Sequence, residues 1–347
     1  MTADKKPHRA HLTLVEVLIV VVLLGTAGLF LLRSIVVVRE REQRRQITAA
    51  LHEWGDARGE STEATRAVQI IFNLVEVNPK LHDARSHNGD TTLHIAAIVG
   101  NRDIAQWLLT HGAGVDAKDN GGWTPLLRAA SNGDKEMADL LLAHGADVNE
   151  QTGLGMSPLH WAASDESEDV AKLLLAKGAN VNVKDNSDET PLHRAARFGR
   201  KRPAELLLAN GADIEAKSNV GRTPLHWAAF AEDKGEVAEV LIAKGANVNA
   251  QDKNGVTPLC RALSYGRKEV AELLLMNGAD ANARTSAGWT PLHYAASIGL
   301  KRVTELLLTK GADIHAKDNE GKMPLDLAKQ HREKGIADLL RSHGAKD

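Results

Sequence analysis

Two kinds of side chain in this sequence could do chemistry. One is an imidazole that keeps returning in the same setting: SPLHWAA at 157–163, TPLHRAA at 190–196, TPLHWAA at 223–229 and TPLHYAA at 290–296, in a chain with 15 histidines. The other is the thiol of Cys260, the one cysteine present, which also means that no intrachain disulfide can form. Histidines in register could ligate zinc or act as general bases, and a thiol beside a base could attack a carbonyl. The slot argues otherwise. It is filled in turn by His94, Leu127, His160, His193, His226, Cys260, His293 and Asp326. With leucine in one copy and cysteine in another, construction is the role that fits the slot. His82, His87, His111, His144, His315 and His343 are scattered without ligand spacing. G-x-S-x-G, H-E-x-x-H, G-x-x-x-x-G-K-[ST] and G-x-G-x-x-G are all missing. No catalytic residue, metal site, cofactor or small-molecule substrate is therefore expected.

The elements that carry this slot repeat. Five places before it stand Gly89, Gly122, Gly155, Asp188, Gly221, Gly255, Gly288 and Gly321, spaced 33, 33, 33, 33, 34, 33 and 33 residues apart. The single 34 comes from an extra residue within AEDKGEVAEV (231–240). A fixed period of this size means a stacked array. Thr124, Ser157, Thr190, Thr223, Thr257 and Thr290 each precede a proline, the pattern of a hydroxyl N-cap and first helical turn. Alanine pairs such as Ala195-Ala196 follow and allow close helix approach. Gly100, Gly133, Gly199, Gly266 and Gly299 end the first helices. A second helix carries a leucine block, as at 140–142, 173–175, 206–208, 273–275 and 306–308, and stops at another glycine, as in HGAD (144–147). No unit can bury its leucines alone, so stability must come from adjacent interfaces.

This pattern resembles the ankyrin repeat. The resemblance runs through seven repeats over 89–320 and a C-terminal capping repeat over 321–347, which departs from the pattern at Met323 and Asp326; residues 64–88 resemble an N-terminal capping half-repeat. It implies an all-α ankyrin-repeat solenoid of helix–turn–helix units joined by hairpin loops. Units stacked roughly 10 Å apart keep their imidazoles from sharing a metal. The histidine is then expected to hydrogen-bond the turn and the neighbouring unit.

The same resemblance implies protein–protein interaction through the concave face and the hairpin tips. On the concave face the expected contacts are Arg128, Trp161, Arg194, Trp227, Arg261 and Tyr294, which follow the slot, and Phe198 and Tyr265, two places beyond the small-residue pair. At the tips they are Trp123, Met156, Glu189, Arg222 and Trp289. Arginine and aromatics commonly anchor interfaces, which points to a protein partner of acidic and apolar character. The alternative is that Arg and Trp stack on each other across units. Nucleic acid is not expected: beyond residue 50 the chain holds 35 Lys/Arg against 41 Asp/Glu.

At 347 residues, the chain is too long for one ordinary core, and its first 50 residues differ from the rest, with eight Lys/Arg against four Asp/Glu. After a basic leader (1–11, with Lys5, Lys6 and Arg9) comes LTLVEVLIVVVLLGTAGLFLL at 12–32. As a helix that stretch spans ~30 Å, the thickness of a bilayer core. The expectation is a single transmembrane helix over 12–38, then a charged helical extension and linker over 39–63 with its joint at GDARGESTE (55–63). A cleaved signal ending at Gly25-Thr26-Ala27 competes, but the apolar LFLL continues past it. Residues 5–56 also resemble the N-termini of type IV pilins and type II secretion pseudopilins: Leu12-Thr13-Leu14-Val15-Glu16 occupies the Phe-Thr-Leu-Ile/Val-Glu places. His11 stands where the prepilin peptidase needs a small residue, so processing there is not expected. This resemblance implies a bacterial inner-membrane protein, single-pass, with its repeats on the periplasmic side. The Lys/Arg count favours the opposite orientation, with three before the span and Arg33, Arg39, Arg41, Arg44 and Arg45 after it. The expected function is a membrane-anchored ankyrin scaffold; the alternative is a pseudopilin-like subunit of a filament or secretion machine that carries an ankyrin domain.

Overall fold

A hydroxyl followed by proline starts most of the first helices, as the local chemistry demands. The structure, a computed structural model, describes residues 36–53, 62–165, 168–233 and 235–346. The chain forms two compact units, 1–92 and 93–347. Every regular element among the described residues is helical, apart from one isolated bridge between Arg85 and Thr91.

In the first unit, helix α1 covers 36–53 and α2 covers Thr62–Val77, followed by a 3-10 turn at Pro79–Asp83. Of the charged helical extension and linker expected at 39–63, residues 39–53 lie in α1. Ile47, Ala50 and Leu51 lie at helical spacing and are buried, as are Ala67, Ile71, Phe72 and Val75 on α2. Asn78 Nδ2 donates to Gln43 Oε1 at 3.0 Å, tying the end of α2 to α1. No described helix is long and apolar enough to cross a membrane. The apolar stretch 12–32, the leader before it and most of the joint at 55–63 lie outside the described residues.

The second unit is a row of helix pairs. They are α3 Thr92–Val99 with α4 Arg102–Thr110, α5 Pro125–Ser131 with α6 Lys135–Ala143, and α7 Pro158–Ala162 with α8 Asp169–Ala176. Next come α9 Pro191–Arg197 with α10 Lys201–Ala209, and α11 Pro224–Ala228 with α12 Glu236–Ala243. The row continues with α13 Pro258–Ser264 and α14 Lys268–Met276, α15 Pro291–Ile298 and α16 Lys301–Thr309, and α17 Pro324–Gln330 and α18 Lys334–Ser342. From α5 to α15 each first helix packs on its own second helix and on the next first helix, and α17 packs on α18. The alanine pairs sit at these crossings fully buried, as do Ala195 and Ala196. Of each leucine block only the middle residue is completely buried (Leu141, Leu174, Leu207, Leu274, Leu307), and its flanking residues are half-covered in most copies.

The second helices end alike. Ala146 N–H donates to the Leu141 carbonyl at 3.1 Å and Gly145 N–H to the Leu142 carbonyl at 3.1 Å, with Gly145 at φ 87°. This is a Schellman closure, which needs a left-handed residue at the glycine. The first helices differ in length for a readable reason. Helices α7 and α11 have five residues, against seven in α5, α9, α13 and α17. Their turns, SDESED and FAEDKG, lack the early glycine that closes α5, α9 and α13 in the left-handed region (Gly133, Gly199, Gly266).

Candidate interaction surface

The recurrent imidazole is a joint between repeats. In four copies its Nδ1 accepts the N-cap amide of its own helix: Ser157 to His160 at 3.1 Å, Thr190 to His193 at 3.0 Å, Thr223 to His226 at 3.1 Å and Thr290 to His293 at 3.1 Å. Its Nε2 donates to a carbonyl of the next repeat: Glu189 for His160 (3.0 Å), Arg222 for His193 (3.0 Å), Val256 for His226 (2.9 Å) and Lys322 for His293 (3.1 Å). His94 reaches the Trp123 carbonyl in the same way at 2.9 Å. A carbonyl can only accept, so Nε2 carries the proton and the ring is neutral. Both nitrogens are then engaged, and neither has a lone pair for a metal or a substrate proton. Burial holds His193 and His226 down at about 4 and pushes His160 and His293 below the ordinary imidazole value. Where the slot lacks histidine, the hydroxyl still caps the helix: Thr124 Oγ1 accepts Leu127 N–H at 3.3 Å and Thr257 Oγ1 accepts Cys260 N–H at 3.2 Å, as Ser157 Oγ does for His160 N–H at 3.4 Å. Asp326 substitutes with its carboxylate, accepting Met323 N–H at 2.9 Å. Cys260 is buried and its thiol is pushed up by that burial, the environment of an inert cysteine.

A second joint was not singled out in the sequence. Asn149, Asn182, Asn249 and Asn282 recur after the second helices. Asn182 Oδ1 accepts Asp213 N–H at 2.8 Å while its Nδ2 donates to the Gly211 carbonyl at 3.1 Å; Asn282 does the same with Asp313 (2.7 Å) and Gly311 (2.8 Å). The signal was present as an asparagine at the period of the array. A side chain with one donor and one acceptor is what that crossing requires.

The arginines and aromatics of the first-helix face stack in a continuous row. Arg128 lies 4.4 Å from the Trp123 ring, whose centroid is 4.8 Å from that of Trp161. Arg194 stands 5.4 Å from Trp161 and 4.8 Å from Phe198. Arg197, Arg222 and Arg261 crowd the Trp227 ring at 4.8, 5.4 and 5.6 Å, and Arg261 is also 5.3 Å from Tyr265. Tyr294 is set apart from this row, edge-on to Trp289 at 4.9 Å. The cross-unit stacking of Arg and Trp is therefore real, and it decides what remains available. Trp227 is only 8% exposed and is a core element of the row rather than an open contact. Arg128 is bound to Asp119 at 2.6 Å. Phe198 and Tyr265 are 43% and 47% exposed.

The expected tips need correcting. Met156 and Glu189 are 5% and 8% exposed, and Trp123, Arg222 and Trp289 are half-covered. Each of these residues lies just past the turn, where its carbonyl closes the loop, as in Asp119 N–H to the Trp123 carbonyl at 2.9 Å. The exposed tips are two to three residues earlier, at 120–121, 153–154, 186–187, 219–220, 253–254, 286–287 and 319–320. Burial raises the Glu189 carboxyl above the usual range, with Asp185 adding to the effect. The marker glycines pointed to the loop but not to its apex. The apex is set by Asp119, Asp185, Asp252 and Asp318, each of which accepts two turn amides; Asp185 Oδ1 takes Ser187 N–H at 2.8 Å and Glu189 N–H at 2.9 Å.

A family model described as ankyrin repeats (3 copies) matches residues 61–152, 148–218, 204–285 and 277–347. The chain is an ankyrin-repeat protein. No curated protein matches it. The ankyrin match begins at residue 61 and gives no support to the pilin-like reading of residues 5–56. Ankyrin repeats as a family are interaction modules, and a protein-binding scaffold is what membership suggests for this chain. Among the described residues no group of three or more His, Cys, Asp or Glu side chains could hold a metal.

Proposed function

We propose that this ankyrin protein is a membrane-anchored scaffold, without catalysis of its own, that holds a protein partner on the first-helix face of its central repeats. One observation carries the binding reading: Phe198 and Tyr265 stand open to solvent while locked among guanidiniums. Exposed rings fixed in position make good interface anchors because little freedom is lost on binding. The anchor rests on the apolar run 12–32 and on the arginines after it, of which Arg39, Arg41, Arg44 and Arg45 are exposed on α1. Exposed cations beside an apolar span suit anionic headgroups. The tested pair is Phe198→Ser with Tyr265→Ser. Affinity purification of the full chain from its own membrane should recover a stoichiometric protein with the natural chain and lose it with the variant. An equal yield from both would discard the face. Carbonate extraction tests the anchor: release of the full chain into the supernatant removes it from the reading.

A further inference from the structure

Repeats four to six of the array bring together more guanidiniums than their carboxylates hold in ion pairs. Arg194 Nε donates to Ser164 Oγ at 3.2 Å, a neutral partner. The guanidiniums of Arg197 and Arg261 form no hydrogen bond or ion pair among the described residues, and Arg261 Nε is buried without a hydrogen-bond partner. The nearby carboxylates attract these guanidiniums, Glu189 acting on Arg197 and Asp252 on Arg261, but neither closes an ion pair with them. Asp185 caps its own turn. Asp252 accepts Asn254 and Val256 amides through Oδ1 and turns Oδ2 to Arg222 at 3.5 Å. Glu189 is buried and forms no ion pair.

These guanidiniums are crowded and held still. Arg197 and Arg261 share the Trp227 ring, and Arg194 and Arg197 share the Phe198 ring at 4.8 and 6.0 Å. Mutual repulsion among like charges is a standing cost that an anion removes. Because the rings fix the side chains, binding an anion there loses little rotamer freedom. Next to the strip opens a cleft of about 610 Å³, lined by Arg197, Phe198, Gly199, Arg200, Phe230, Glu232 and Asp233. It lies where the 34-residue repeat has its longer turn. Phe198 and Phe230 offer it an apolar floor, while its two acids disfavour a continuous polyanion.

Resting on the scaffold reading, we infer that repeats four to six bind an acidic protein segment that carries an apolar side chain. Its carboxylates meet Arg197 and Arg261, and its apolar side chain enters the cleft at Phe198 and Phe230.

A library of random peptides displayed on phage, panned on the full chain, tests this. Enrichment of peptides that combine Asp or Glu with an aromatic or aliphatic residue is the expected result. The best of these, made synthetically, should bind on the order of tenfold more weakly to Arg197→Gln with Arg261→Gln. Arg197→Gln alone, at an exposed position, should show a smaller loss in the same direction and keeps the test readable if the double variant unfolds. Enrichment of neutral or basic peptides, no enrichment, unchanged affinity in Arg197→Gln, or displacement of the peptide by a single-stranded oligonucleotide would each overturn the inference. Should acidic peptides fail while Phe198→Ser with Tyr265→Ser still abolishes partner recovery, the scaffold stands and only the partner chemistry falls. Failure of both measurements removes both readings.

Discussion

The imidazole of His193 donates through Nε2 to the carbonyl of Arg222, twenty-nine residues further along the chain and 3.0 Å away. Its other nitrogen accepts from the Thr190 amide. One side chain thereby starts its own helix and fastens the next repeat. The double role holds only while the ring is neutral, because a proton on Nδ1 would face the Thr190 N–H and end that bond.

The first prediction is an acid-labile array. Well above pH 6.5 these rings are neutral in both folded and unfolded chains, and their titration gives stability no pH dependence. As pH falls, the unfolded chain takes up protons near 6.5, whereas His193 and His226 in the fold resist until about 4. The unfolded state binds more protons across that window, so stability drops between pH 6.5 and 4 by up to about 1.4 kcal/mol per pH unit for each ring. His160 and His293 add in the same direction. Urea midpoints taken across this range check it; a flat profile contradicts the neutral joint.

Filling or emptying the slot should move stability in opposite directions. His226→Leu removes the bond to Val256 and leaves the Thr223 hydroxyl without its imidazole, at a cost of about 1–3 kcal/mol. Cys260→His should gain about 1 kcal/mol by adding a donor to the Trp289 carbonyl, which accepts Thr285 N–H alone among the described residues. Thermal unfolding of both variants decides, and a Cys260→His chain less stable than the natural one counts against the geometry.

Thr223→Ala removes the hydroxyl 3.0 Å from His226 Nδ1 while the backbone N–H remains in place. We expect a loss of about 1 kcal/mol, the ordinary cost of an N-cap hydroxyl. The residue is buried, so partner recovery at a temperature where the variant is folded should be unchanged. A folded variant unable to bind would assign this hydroxyl a second role.

Two glycines with similar backbones should respond differently to alanine. Gly155 and Gly178 have φ of 77° and 88°. A Cβ on Gly155 would stand 2.6 Å from Asn186 Oδ1 and 2.7 Å from Asn186 N, whereas one on Gly178 would meet nothing within 4 Å. Gly178→Ala should therefore cost only the left-handed penalty of about 1–2 kcal/mol. Gly155→Ala should cost more, because the next turn must also move. Equal losses in denaturant melts would mean that the turns are not in contact.

Trp227 illustrates how the sequence misleads. Trp161→Ala with Trp227→Ala would be the natural choice for testing the face. Yet Trp227 is ringed by three guanidiniums and 8% exposed. Trp227→Ala should cost about 3–5 kcal/mol by leaving a cavity under the arginines, which makes loss of binding and loss of fold hard to separate. Calorimetry of the single variant measures this directly; a melting temperature close to that of the natural chain would show that the row does not need its central ring.

What the sequence determined by itself was local or periodic. The hydroxyl–proline starts, the glycine stops and the 33-residue spacing each act within one turn or one unit, so the helix pairs and the structural part of the imidazole could be read from residue type and position. Tertiary structure decided what depends on the angle at which one repeat meets the next. It buried Met156 and Glu189 behind the loop apex, paired Arg128 with Asp119, and left Arg197 and Arg261 on one indole without an ion pair among the described residues. Arginines in equivalent slots carry the same letter in every copy, but the charge each one offers is fixed by neighbours some thirty residues away, which a one-dimensional pattern does not bring together.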